Sequence, residues 1–214
     1  MTPRIPAAIA WRVDLYRTSL ALRDVALSRG DRPLVTGLSV KVGPGELLWL
    51  TGPNGSGKTT LLLACAGLLR PDGGDIAWSP GSTSASVAYA AHRGPERDEL
   101  SLGEELAFWR RVHADAAPLA DRLASADLSA PLDTPVSGLS VGQRRRLALA
   151  RLLMADKPAW LLDEPLSGLD AAGRGATTRA IRAHLARGGL ALIASHRPMV
   201  IPGVQARKLV LEAP

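Results

Sequence analysis

A short loop between a predicted strand and a predicted helix matches the pattern G-x-x-x-x-G-K-[ST], which is the clearest chemical signal in this sequence. Its residues are Gly52, Pro53, Asn54, Gly55, Ser56, Gly57, Lys58 and Thr59. The glycines let successive backbone N–H groups point at phosphate oxygens, and the helix start adds the positive end of its dipole. In this pattern Lys58 reaches the β- and γ-phosphates and the Thr59 hydroxyl binds Mg²⁺, with Thr60 as a further contact. We therefore predict a site for a nucleotide and Mg²⁺.

A second apolar run, Trp160–Leu162, ends in two carboxylates, Asp163 and Glu164. Asp163, at the end of a strand, would reach Mg²⁺ through water. Glu164, one residue further, can orient or deprotonate a water molecule that attacks the γ-phosphate. Such a run is common by itself and then favours a plain turn. Downstream of a phosphate loop, it favours the catalytic interpretation.

Ser140 and Gln143 have the spacing of a capping box at the start of a predicted helix. The same geometry, with Gly142 between them, also suits a γ-phosphate, because a capped helix start presents free N–H groups to an anion. The two interpretations are compatible, and both stay open here. The arginines 144–146 that follow are predicted to form a solvated face of the helix.

The remaining pattern predicts strands and helices in alternation. The predicted strands are 20–27, 34–42, 46–51, 159–162 and 190–194, and the predicted helices are 58–69, 141–155 and 171–186. A segment from about 93 to 134 has helical spacing and is predicted to be a small helical insertion. Strand–helix alternation predicts an α/β fold with a mainly parallel sheet. Residues 1–18 are predicted to be an N-terminal arm.

Composition limits the classes of protein that this chain can be. Its 214 residues are 46% hydrophobic and 21% charged, which suits a folded core. The single cysteine, Cys65, excludes a disulfide framework and predicts a buried thiol in a reducing compartment. The net charge of +6 is spread along the chain, which favours a mildly basic surface over a nucleic-acid site. No apolar run approaches a membrane span, and His113 and His184 are predicted to be surface residues.

Five motifs in a fixed order make the chain resemble the ABC ATPase family over residues 20–211. They are the phosphate loop, Leu139–Gln143, Leu161–Pro165, Ser167–Asp170 and Ser195-His196. The resemblance implies an ABC-type P-loop NTPase fold, with a RecA-like core, a mainly parallel sheet and an N-terminal antiparallel β part. It also implies a single ATP-binding domain at 19–212, with a helical subdomain at about 93–138.

The same resemblance implies a head-to-tail dimer with two ATP molecules between its subunits. Ser140, Gly142 and Gln143 would then act on the nucleotide of the other subunit. His196 would hydrogen-bond the γ-phosphate and link it to Glu164, so that Lys58, Glu164 and His196 form the catalytic set. Asp170 would cross the dimer interface, although it is also a sound N-cap for the following helix.

Two positions depart from the general family. Where an aromatic residue usually stacks on adenine, this chain has Arg29 within Ser28–Asp31. Either the planar guanidinium stacks on the base or adenine is held loosely. Where the family places a glutamine that contacts Mg²⁺, this chain has His92. A neutral imidazole can donate or accept one hydrogen bond much as an amide can.

His92, together with the segments Glu104–Leu106 and His196–Met199, resembles the ATP-binding subunits of the cytochrome c biogenesis complex, the haem exporter subfamily. The segment Arg93–Pro95 differs from that subfamily's usual Gln-Pro-Gly. The resemblance implies haem export, or release of a haem-loaded chaperone. Two ATPases would bind two CcmB-like membrane subunits at the cytoplasmic face of the inner membrane, with other cytochrome c maturation proteins as further partners.

Three other functions remain as alternatives at this point. His92 is also compatible with the ATPase of another small-substrate exporter, as a tolerated substitution. A soluble ABC ATPase acting on nucleic acid or ribosomes is disfavoured, because such proteins usually carry two cassettes or a long coiled-coil insertion. A module that uses ATP only as a switch is disfavoured by Glu164, because a degenerate site would most readily lose that residue.

Overall fold

The computed structural model of the chain describes residues 17–80, 87–91, 97–197 and 199–212. Most of the predicted N-terminal arm (1–18) and His92 lie outside these ranges. The chain divides into two compact units. The first comprises the described residues within Met1–Tyr89, Lys157–Asp163 and Arg182–Pro214, and the second those within Ala90–Asp156 and Glu164–Ile181.

The described residues form strands and helices in the predicted alternation. The strands are β1 (Ser19–Arg29), β2 (Arg32–Val42), β3 (Leu47–Thr51), β4 (Gly73–Ser79), β5 (Val87–Ala90), β6 (Ala159–Asp163), β7 (Leu190–Ala194) and β8 (Ala206–Val210). The helices are α1 (Lys58–Cys65), α2 (Leu102–Val112), α3 (Leu119–Ser125), α4 (Val141–Ala155) and α5 (Ala171–Ala186), with a 3₁₀ turn at Val136–Gly138. No helix among these is long and apolar enough to cross a bilayer.

Two sheets organise the first unit. An antiparallel sheet has the order β2-β1-β4, and a five-stranded sheet has the order β5-β6-β7-β3-β8. In the larger sheet β3 pairs in parallel with β7 and β8, and β6 pairs in parallel with β7. The α/β class with an antiparallel β part is therefore confirmed.

The larger sheet places three strand ends at one edge. All five residues of β6 and of β7 are buried, which explains why both strands are unbroken apolar runs. Leu50 of β3 and Asp163 of β6 both pair with Ala194 of β7. The segments that follow these strands therefore start side by side, at the carboxyl edge where parallel α/β sheets bind ligands.

Three strands and one helix end differ from the sequence expectation. β4 begins Gly-Gly-Asp and so lacks an apolar run, and β8 is an edge strand whose Arg207 and Lys208 are exposed. Neither was predicted, because both carry little apolar signal. The four-residue strand β5 was not predicted either. Helix α1 ends at Cys65 rather than at Leu69, and Gly67 has a left-handed φ of 72°. Cys65 is fully buried, and this burial raises the pKa of its thiol to about 12.

The second unit contains α2, α3, α4 and most of α5, so it extends beyond the helical segment predicted at about 93–134. Capping boxes start α2 and α4, with Ser101 paired to Glu104 in the first case. The fully buried Glu105 on α2 forms an ion pair with Arg151 on α4 and accepts a hydrogen bond from the Trp109 indole at 2.8 Å. Leu102 and Leu106 on α2 and Leu147 on α4 are fully buried, so both helices contribute to one core.

The prediction of a surface position was wrong for His184. His184 is 0% exposed, and its ring stacks on Trp160 at a centroid distance of 4.1 Å. Its Nε2 lies 3.1 Å from the Leu190 carbonyl oxygen. His113 is half-buried and stacks on Trp109 with ring centroids 5.4 Å apart. The tryptophan that stacks on His184 is distant in sequence, whereas the one that stacks on His113 is one helical turn away.

Candidate nucleotide-binding and hydrolysis site

The predicted phosphate loop lies between β3 and α1, as the motif requires. Its three glycines, Gly52, Gly55 and Gly57, have φ values of 145°, 82° and 94°. Gly57 is the N-cap of α1, so the loop delivers Lys58 and Thr59 onto the first turn of the helix. Backbone N–H groups at such a helix start attract an anion.

Gly52 is fixed by close packing as well as by its φ. A Cβ atom there would lie 2.1 Å from the Leu211 carbonyl oxygen and 2.8 Å from Ser56 Oγ. The Leu211 N–H in turn donates to the Thr51 carbonyl at 2.7 Å. The start of the loop is therefore pressed against the chain that follows β8, and only glycine fits.

We expect Gly52→Ala to destabilise the protein by about 3 kcal/mol or more, because it combines a Cβ clash with a glycine-only φ. That corresponds to a fall of at least ~6 °C in melting temperature, measured by differential scanning fluorimetry without nucleotide. Gly55→Ala is the matched control, since a Cβ there meets nothing within 4 Å. It should cost only about 1 kcal/mol for its positive φ. Equal losses for both variants would contradict the packing argument.

Lys58 and Ser56 face the inside of the loop. The Lys58 ammonium donates to the carbonyl oxygens of Gly52 at 2.8 Å and Pro53 at 2.7 Å. Lys58 as a whole is only 8% exposed. Ser56 is 0% exposed, and its Oγ has no hydrogen-bond partner within the described part of the chain. A buried hydroxyl without a partner is costly. The loop thus fits a phosphate, whose oxygens would accept from both groups.

Thr59 and Asp163 meet, although 104 residues separate them. The Thr59 hydroxyl donates to Asp163 Oδ2 at 2.8 Å, and Asp163 is 7% exposed at the end of β6. Burial, with the Asp163 charge as a second cause, raises the pKa of the nearby Tyr89 hydroxyl to about 12. A hydroxyl and a carboxylate are the oxygen ligands that Mg²⁺ uses alongside water and substrate phosphates. Across the described ranges, no three His, Cys, Asp or Glu side chains could hold a metal by themselves.

Glu164 follows directly after Asp163 and has an unusual backbone. Its φ is 51°, in the left-handed region that costs a non-glycine residue about 1–2 kcal/mol. Its carbonyl accepts from the Ser167 N–H at 3.1 Å, which turns the chain immediately after β6. Strained backbone of this kind is typical of functional sites. The sequence-based role of Glu164 as general base stays a prediction.

His196 follows β7, and its side chain is exposed. The position is the one predicted for it, next to the carboxyl edge of the larger sheet. Its role toward the γ-phosphate stays a prediction, and so does that of His92, which lies outside the described residues. Arg29 is exposed at the end of β1, where it pairs with Arg32 across the β1–β2 hairpin.

The predicted capping box at the start of α4 is present. Ser140 Oγ accepts from the Gln143 N–H at 3.2 Å, and Gln143 Oε1 accepts from the Ser140 N–H at 2.9 Å. A Cβ at Gly142 would meet no other atom closer than 3.6 Å. The cap uses the Ser140 hydroxyl only as an acceptor, so its proton can still be donated to an anion. Capping and phosphate binding are therefore compatible here.

The arginines after Gln143 are not a plain solvated face, and that prediction was wrong. The Arg146 side chain is 14% exposed and forms ion pairs with Asp127 at 3.2 Å and Asp170 at 2.6 Å. Arg144 forms an ion pair with Asp98 at 3.1 Å. Asp170 also accepts from the Gly173 N–H at 2.9 Å, which starts α5. That hydrogen bond first and Arg146 second lower the pKa of the Asp170 carboxyl.

Arg146 is thus a residue near the candidate site that sequence reasoning missed. It joins the α4 start, which carries Ser140–Gln143, to the segment that ends at Asp170. Asp170 does make the N-terminal contact of α5 that its sequence position predicted. The local sequence contains no signal for the ion pair of Arg146 with Asp170, because these two residues are 24 positions apart.

Comparison with known proteins agrees with this geometry. The family description "ABC transporter" matches residues 35–167, more than half of the chain. The chain belongs to the ABC transporter family. As an ABC ATPase it binds ATP and couples ATP hydrolysis to transport, and the loop at 52–59 lies within the matched region.

Curated relatives of this ABC ATPase are similar over most of their length. It is 43% identical to the "Cytochrome c biogenesis ATP-binding export protein CcmA" of Ruegeria sp. (strain TM1040), over 86% of this chain and 88% of that protein. It is 41% identical to the protein of the same name from Rhodopseudomonas palustris (strain BisB5), over 91% of this chain and 98% of that protein.

Solved structures share the fold at lower identity. A putative ABC transporter ATP-binding protein from Pyrococcus furiosus aligns with a TM-score of 0.77 and 23% identity, covering 90% of this chain and 97% of that chain. A bacterial Atm1-family ABC exporter with ATP bound aligns with a TM-score of 0.79 and 24% identity, over 91% of this chain and 37% of that chain. These two similarities establish the ABC ATPase fold.

Proposed function

We propose that this chain is the energy-coupling ATPase of an ABC complex that serves c-type cytochrome biogenesis, by haem export or by release of a haem-loaded chaperone. The observation that carries the proposal is the 41–43% identity to CcmA proteins over 86–91% of this chain. We propose one ABC domain at 19–212, with its helical subdomain at about 93–138. The proposal includes two copies of this chain with two CcmB-like membrane subunits, peripheral at the cytoplasmic face of the inner membrane.

In the proposed reaction, water attacks the γ-phosphorus of ATP, and the bond to the β–γ bridging oxygen breaks to give ADP and phosphate. Lys58 and the loop N–H groups bind the phosphates, and Ser56 Oγ donates to one of their oxygens. Glu164 takes the proton from the attacking water at its carboxylate, and His196 hydrogen-bonds the γ-phosphate. Thr59 and Asp163 would hold Mg²⁺, which neutralises phosphate charge when bound.

The second copy of the chain would complete each site. Its capped α4 start, with Ser140, Gly142 and Gln143, presents N–H groups and a hydroxyl proton suited to a γ-phosphate. Support comes from the exposure of Ser140 and from the space around Gly142. Asp170 would reach toward the other subunit at the same interface. His92 would contact the nucleotide or its Mg²⁺ in place of the usual glutamine.

Haem staining of membrane proteins from the native host tests the cytochrome assignment. With Glu164→Gln replacing the wild-type residue, we expect covalently haem-bearing cytochromes c to be lost while b-type haem remains. Glu212→Gln is the control, since it makes the same chemical change at an exposed residue that belongs to none of the five motifs. Normal cytochromes c in the Glu164 variant would contradict the assignment and favour the ATPase of another exporter.

A further inference from the structure

A tryptophan in the strand before the phosphate loop contacts the residue that precedes His196. Trp49 is half-buried in β3, whose neighbours Leu48 and Leu50 are at most 2% exposed. Its indole N–H donates to the Ser195 carbonyl oxygen at 3.3 Å, across 146 residues of sequence. Ser195 immediately precedes His196. Trp49 therefore connects the strand that carries the loop to the backbone that carries His196.

Ser195 is held at each of its polar groups. Its N–H donates to the Leu50 carbonyl at 3.1 Å, which extends the pairing of β3 with β7 by one residue. Its hydroxyl donates to the Arg197 carbonyl at 3.1 Å and accepts from the Arg197 N–H at 3.2 Å. Ser195 itself is 8% exposed. His196 thus lies between Ser195 and Arg197, which are joined through the Ser195 hydroxyl, and the Trp49 side chain adds a hydrogen bond to Ser195 from the neighbouring strand.

The ring of Trp49 also lies near a lysine on β8, the other strand that pairs with β3. The Lys208 ammonium on β8 lies 5.5 Å from the indole ring centroid, within range of a cation–π contact. An indole has only two rotatable side-chain bonds. The cation–π contact and the hydrogen bond to Ser195 both favour the ring orientation in which the indole N–H points at the Ser195 carbonyl oxygen.

We infer that Trp49 is a positioning residue for ATP hydrolysis: its indole N–H fixes the Ser195 carbonyl and so sets where the His196 side chain meets the γ-phosphate. Trp49 does not touch the nucleotide in this role. The inference rests on the proposed role of His196. It adds to that role a second requirement, a hydrogen-bond donor at residue 49.

Steady-state ATP hydrolysis by the ATPase assembled with its membrane subunits tests the inference. We expect Trp49→Phe to lower kcat by about 3- to 10-fold, the effect of one lost hydrogen bond, with KM for ATP within about 2-fold of wild type. Phenylalanine keeps an aromatic ring in the strand and removes only the donor. Trp78→Phe is the matched control, since the Trp78 indole donates to the Cys65 carbonyl at 3.0 Å in the same unit.

A double-mutant cycle with His196→Ala separates positioning from a merely structural effect. We expect His196→Ala to lower kcat by about 100-fold, as loss of a donor to a transition state does. Trp49→Phe should then have no further effect in that background, because it acts through the missing imidazole.

Three results would overturn the inference. They are a wild-type kcat for Trp49→Phe, an equal loss of kcat in the Trp78 control, or an undiminished Trp49 effect in the His196→Ala background. A wild-type kcat for His196→Ala would instead refute the role of His196. If Trp49→Phe lowered kcat while His196→Ala did not, positioning through His196 would be refuted as well. The cytochrome assignment is tested separately by haem staining, so its failure is distinguishable from these.

Discussion

Glu164→Gln is expected to lower ATP hydrolysis by at least about 100-fold, the contribution of a positioned general base, while ATP stays bound. The amide has the same shape as the carboxylate but cannot take a proton from water. Because the strained φ of 51° belongs to the backbone, the substitution leaves the turn after β6 in place. The variant should therefore hold ATP in a closed dimer that does not turn over.

Two measurements check this result on the purified protein. Phosphate release gives kcat, and size-exclusion chromatography with light scattering in the presence of Mg-ATP gives the fraction of dimer. Glu212→Gln should behave like wild type in both, because Glu212 is exposed and distant in sequence from the motifs. Hydrolysis by the Glu164 variant at the wild-type rate would mean that another group is the base.

Lys58→Ala is expected to weaken ATP binding by about 100-fold or more, because charge-assisted hydrogen bonds to phosphate contribute roughly 1.5–3 kcal/mol each. The substitution has a second effect in this structure. The Lys58 ammonium also donates to the carbonyl oxygens of Gly52 and Pro53, so its loss removes one donor from each, although Pro53 keeps the Ser56 N–H at 3.3 Å. Both the charge and the shape of the loop are therefore affected.

Isothermal titration with ATP and Mg²⁺ measures this change, and Lys41→Ala is the control. Lys41 is exposed on β2, so its loss changes net charge by the same amount without touching the loop. Thermal unfolding of both variants separates weak binding from misfolding. An ATP dissociation constant for folded Lys58→Ala within about 3-fold of wild type would contradict the assignment of Lys58 to the phosphates.

The sequence predicted the structure best where the signal depends on residues that are close together in the chain. The apolar runs of β3, β6 and β7 predicted buried parallel strands because both faces of that sheet are covered, so no polar alternation interrupts them. The capping box of Ser140 and Gln143 could be predicted because its partners are three residues apart. The phosphate loop has fixed spacing, and its glycine φ values follow from the curvature that phosphate binding needs.

What could not be predicted depends on contacts that are distant in sequence. Arg146 was expected to face solvent, but carboxylates 19 and 24 residues away, Asp127 and Asp170, cover it from both sides. His184, on α5, was expected at the surface, but Trp160 on β6 stacks on it. Strands β4 and β8 form because existing strands offer them partners, since their own sequences carry little apolar pattern.

The buried ring of His184 restricts how this part of the chain can change. A Cβ at Gly189 would lie 2.3 Å from two atoms of that ring, and the ring cannot move away because Trp160 covers its face. Any side chain at 189 therefore requires a smaller residue at 184 first. His184 also contacts Leu190, where the strand leading to His196 begins. We therefore expect the residues at positions 184 and 189 to change together among descendants of this chain.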